Sequence, residues 1–139
     1  MITEDYCSYE VAETLKEKGF DEQTVKCYNL RKELCNCQCG PGETINSISN
    51  YFIAAPTHQM AMKWLREKHK MYICVGVKVY DSASGVINGY SSHVWFEPKN
   101  NKGICCYWPD KNDSDDFDTY EEACEAAIKY CLENLFNEL

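Results

Sequence analysis

Near the C-terminus, Tyr120, Ala123, Cys124, Ala127, Ile128, Cys131, Leu132 and Leu135 fall on one stripe at helical spacing, which predicts a helix from 119 to the end of the chain. A helix that is apolar on one side only must bury that side, so the chain has to supply a second apolar surface. The segment MYICVGVKVY offers one by alternating Ile73, Val75, Val77 and Val79, and YSSHVWFE sets Tyr90, Ser92, Val94 and Phe96 on a single side. GICCYW follows the Asn-Lys-Gly turn at 101–103, so 71–108 reads as a three-stranded antiparallel meander. Asp118 is the expected cap of the last helix, with Glu121 completing a capping box.

The first half of the chain carries weaker signals. SYEVAETLKEKGF pairs Val11 with Leu15 and stops at Gly19, giving a helix over about 8–18. TVKCYNLRKEL and INSISNYFI read as two strands on either side of the glycine-rich NCQCGPGE, with 35–44 as the hairpin loop. Thr57, after Pro56, is a usable cap for HQMAMKWLREKHK, where Met60 with Trp64 and Ala61 with Leu65 are spaced one turn apart. The order is α-β-β-α-β-β-β-α. It predicts a single α+β domain over 1–139, with an antiparallel sheet, helices packed on one face, and an acidic loop at 109–117.

The 139 residues contain no apolar run of 18 or more, and the N-terminal MITEDYCSYE lacks the basic flank and apolar stretch of a signal peptide. The expectation is a cytoplasmic protein with no membrane contact, in which the 10 cysteines are mostly free thiols. The net charge of −8 is spread along the chain without a basic face, so no nucleic-acid partner is expected.

Two stretches carry candidate metal chemistry. Cys27, Cys35, Cys37 and Cys39 are enough thiols for a tetrahedral zinc site, although C-x-C-x-C on an extended strand lacks the paired knuckles of structural zinc sites. The alternative is a reduced hairpin arm. In DKNDSDDFDTYE, the oxygen-bearing positions of a calcium loop are met by Asp110, Asn112, Ser114, Asp116, Asp118 and Glu121. Asp115 stands where such loops need glycine, and a strand rather than a helix leads in. The alternative there is a solvated acidic loop.

His58, His69 and His93 lie near no nucleophile signature, and no phosphate-binding glycine loop or other cofactor motif is present, so no catalytic set is expected. The order α-β-β-β-α over 57–137 is shared with double-stranded-RNA-binding domains. The lysines those domains use are replaced here by Asp113, Asp115, Asp116, Asp118, Glu121 and Glu122, which argues against that function.

The stretches APTHQMAMKWLREKHKMYI and DTYEEACEAAIKYCLENL, with the opening YEVAETLKEKGFDE, resemble a family of small uncharacterised proteins from Bacteroidales genomes and their phages or mobile elements. The resemblance covers most of the chain and implies a bacterial or phage accessory protein, without assigning any site residue. Together with the aromatic Trp64, Trp95, Tyr107 and Trp108, the expectation is a non-enzymatic protein that acts through protein contact, with a homodimer among the options. The alternatives are metal binding at the thiols or the aspartate loop, and acidic inhibition of a nucleic-acid enzyme.

Overall fold

Helix α1, Tyr9–Glu17, begins where the Ser8 hydroxyl accepts a hydrogen bond from the Val11 amide at 3.3 Å. It ends in a Schellman arrangement: the Phe20 amide donates to the Leu15 carbonyl at 2.9 Å and the Gly19 amide to the Lys16 carbonyl at 3.1 Å. Gly19 sits at φ +96°, in the left-handed region that this turn requires. Phe20 and Leu15, which this motif brings together, are both buried.

In the computed structural model, residues 1–79, 87–100, 103–109 and 117–139 are described, with side chains omitted at 87 and 88. The chain divides into two compact units, 1–61 and 62–139. Its class is α+β, as the alternating patterns predict, but the strands form two separate three-stranded antiparallel sheets instead of one.

In the first unit β1, Lys26–Tyr28, is the central strand between β2, Leu34–Asn36, and β3, Ile53–Ala55. The expected hairpin at 35–44 is replaced by a tighter one within TVKCYNLRKEL. Its turn is built on Asn29, whose side-chain oxygen accepts from the Arg31 and Glu33 amides at 2.9 and 3.0 Å. Lys32 takes the left-handed position at φ +62° that a three-residue hairpin loop needs. INSISNYFI is therefore not one strand. A single helical turn α2, Ile45–Ile48, precedes β3. Val11, Ala12, Leu15, Phe20, Cys27, Ile45, Ala54 and Ala55 are buried residues of this unit.

Helix α3, His58–His69, starts where the sequence predicts, with the Thr57 hydroxyl accepting from the Met60 amide at 3.2 Å. The second unit contains the meander: β4, Tyr72–Val79, β5, Ile87–Phe96, and β6, Cys105–Tyr107, in that order. Ile73 and Val75 alternate as expected, but Val77 and Val79 are exposed, and the pairing becomes irregular between Lys78 and Val79. Val94 and Phe96 are buried. Helix α4, Tyr120–Tyr130, packs on β4 and β5 and continues through a π-turn, Cys131–Leu135, and a final 3-10 turn, Phe136–Glu138. Every member of the predicted stripe is buried except Tyr120. The cap is Thr119 rather than Asp118: its hydroxyl accepts from the Glu122 amide at 3.1 Å, one residue later than predicted. No helix among the described residues is long and apolar enough to cross a membrane.

Candidate functional site

The tight turn at Asn29 decides which cysteines meet. Because it sets β1 against β2 in register, Cys27 lies directly opposite Cys35. The Asn29 amide donates to Glu33 at 3.0 Å and the Cys37 amide to Val25 at 2.9 Å. Antiparallel ladders alternate, so Cys27 and Cys35, two residues inward from each of these pairs, form a hydrogen-bonded pair with Cα atoms about 5.5 Å apart. Their sulfurs are 3.7 Å apart. Cys37, one residue past the end of β2, keeps the pairing through its bond to Val25 and emerges on the same face as Cys35. Its thiol lies close enough to Cys27 to raise that thiol's pKa, as Cys35 does.

The C-x-C-x-C spacing alone sets Cys35, Cys37 and Cys39 in a row along an extended strand. The structure instead gathers Cys35 and Cys37 around Cys27, while Cys39 follows in the loop beside Glu43, whose carboxylate accepts from the Gly40 amide at 3.0 Å. Cys27 is buried, and Cys35, Cys37 and Cys39 are half-buried, so the cluster has a closed floor and an open side. Thr24 supports it. Its hydroxyl donates to the Lys26 carbonyl at 2.8 Å, which leaves its oxygen to accept from the Cys37 thiol at 3.5 Å.

Burial pushes the Cys27 thiol well above its ordinary acidity range, and the hydrogen bonds and charges of Cys37 and Cys35 push it further the same way. Cys39 is raised as well, by partial desolvation and then by the charges of Cys37 and Glu43. Desolvation is the larger cause and the neighbouring thiols add to it: removing protons here puts negative charge into a small, partly dry space. A bound cation reverses that penalty.

The remaining candidate residues are placed as follows, where they are described. Asp110, Asn112, Ser114, Asp115 and Asp116 of the calcium reading lie outside the described residues. Asp118 is exposed just before the cap and Glu121 stands in the first turn of α4. His58 is buried at the start of α3. His69, at the end of α3, packs against the rings of Trp64 and Phe136, each at 4.6 Å, and burial lowers its pKa. His93 faces outward on β5, with Trp95 at 5.9 Å and Trp108 at 5.1 Å.

That outward face is the site the sequence only hinted at. Tyr72 pairs with Trp95 and Trp95 with Cys106, while Cys74 pairs with His93, so one side of the sheet carries aromatics, thiols and an imidazole. Tyr72, Trp95 and Trp108 are exposed, whereas Trp64 is buried. Beside them lies a groove of about 430 Å³ lined by residues that include Lys70, Tyr72, Trp95, Glu97, Lys99 and Ile104. No family model matches the chain, and neither the curated proteins nor the solved structures contain a match.

Proposed function

We propose that the protein is a non-enzymatic accessory protein that binds a soft metal ion through Cys27, Cys35 and Cys37, with Cys39 close in sequence to supply a fourth donor. The supporting observation is the spacing of the paired sulfurs. A tetrahedral zinc ion with Zn–S bonds of about 2.3 Å sets its sulfurs about 3.8 Å apart; Cys27 and Cys35 stand at 3.7 Å before any ion is added. Thiolate donors favour zinc or copper(I) over calcium and magnesium. The same sulfur spacing also suits a contact between two neutral thiols, and a spectroscopic metal separates the two readings.

Cobalt(II) titrated into the reduced full chain reports directly on the donors. Under this proposal the ion acquires the intense sulfur-to-cobalt charge-transfer absorption of a thiolate site, and Cys35→Ser weakens it. A spectrum without that absorption, identical in wild type and variant, contradicts the proposal.

A second reading is favoured by the exposed Tyr72, Trp95 and Trp108 on the sheet of the second unit: contact with another protein chain, including a second copy of this one. Sedimentation over a range of concentrations tests the homodimer. Association that Trp95→Ala with Trp108→Ala removes supports it, and a concentration-independent monomer rejects it.

A further inference from the structure

The strand pairing that brings Cys27 to Cys35 carries a second chemical consequence. Disulfides span Cα atoms about 4.4 to 6.8 Å apart, and the hydrogen-bonded register places this pair near 5.5 Å. The sulfurs already stand at 3.7 Å, so closing the bond asks for side-chain rotation and an approach of the two strands by about 1 Å, without a change of register. Cys35 and Cys37 lie two residues apart on one extended strand, about 6.6 Å along it, and have no such opposed geometry. Exposure divides the pair: Cys35 is half-buried and reachable, Cys27 is buried beneath it.

We propose that Cys27 and Cys35 are a peroxide-oxidisable pair that closes into a cross-strand disulfide. Hydrogen peroxide is the oxidant. The Cys35 sulfur attacks one peroxide oxygen, an S–O bond forms, the O–O bond breaks, and the departing hydroxide leaves as water with the Cys35 proton. The Cys27 sulfur, in contact range, then attacks the sulfenic sulfur of Cys35; the S–S bond forms, the S–O bond breaks, and the released hydroxide takes the Cys27 proton as a second water. In balance, two thiols and one peroxide give one disulfide and two waters. The linkage stands on strand pairing alone. Its consequence, the loss of two donors and release of a bound ion, rests on the metal site proposed above.

The test uses the reduced, metal-free full chain treated with hydrogen peroxide, then alkylated and digested. Cleavage after Lys26 and Arg31 frees the Cys27 peptide from the one that carries Cys35, Cys37 and Cys39, so a link between them is readable by mass. The expected result is loss of two hydrogens and a Cys27–Cys35 link, retained in Cys37→Ser and lost in Cys35→Ser. A link from Cys27 to Cys37 or Cys39 in the wild type, or oxidation of the thiols to sulfinic acid without any link, overturns the proposal. A parallel sample preloaded with zinc separates the two claims. A link that forms equally fast with zinc present supports the disulfide and counts against the metal site; zinc binding with no link on later oxidation of the metal-free chain overturns the disulfide alone.

Discussion

Cys131 sits fully buried in the π-turn that follows α4, and burial pushes its thiol from an ordinary value of 9.0 up to about 12. A raised folded-state value means that the folded chain holds its proton more tightly than the unfolded chain. The resulting stability is complete below about pH 9 and is lost as pH rises through about 12, a total of about 4 kcal/mol as an order of magnitude. Denaturant midpoints measured from pH 8 upward therefore fall steeply in the wild type, and Cys131→Ala shows a flatter decline after costing about 1 kcal/mol at neutral pH. Ser92 makes the opposite prediction. Its hydroxyl is buried on β5 with no hydrogen-bond partner among the described residues, so Ser92→Ala raises stability by about 1 kcal/mol in urea unfolding. The alternating pattern in YSSHVWFE already placed Ser92 on the inward side; nothing in it could say whether the hydroxyl found a partner there.

At the scale of elements, legibility followed the strength of the local signal. The stripe of α4, the Thr57 cap of α3 and the Gly19 stop of α1 were readable because periodicity, cap and terminator agree at each. The first sheet was not. Its strands are three residues each, too short for alternation to register, and its left-handed turn position is filled by Lys32 instead of the glycine or asparagine that marks such turns. That single substitution hid the hairpin, and with it the opposition of Cys27 and Cys35. Asn29, four residues before Glu33, was the available clue. Lys32→Gly should then stabilise the first unit by relieving the left-handed strain, by about 1 kcal/mol. At the start of α4, Thr119→Ala should cost about 1 kcal/mol, while Asp118→Ala changes stability far less because Asp118 is not the cap. Urea midpoints of the three variants test both statements.

For the molecule as a whole, the sheet of the first unit is small, and a metal held on its thiol face would contribute directly to its folding. An ion that binds only the folded chain stabilises it by about 2.7 kcal/mol at a free concentration of 100 times its dissociation constant. Zinc should accordingly raise the melting temperature of reduced wild-type protein by several degrees and leave that of Cys27→Ser with Cys35→Ser unchanged. Calcium should move neither. The four candidate cysteines were visible in the sequence from the outset; what spacing could not show was that a turn would fold Cys27 back against Cys35 and Cys37. The most direct measurement is elemental analysis of reduced protein loaded with zinc and passed through a desalting column. A thiolate centre predicts stoichiometric zinc retained by the wild type and none by Cys27→Ser with Cys35→Ser; wild-type protein that emerges free of zinc, or a variant that keeps as much, contradicts it.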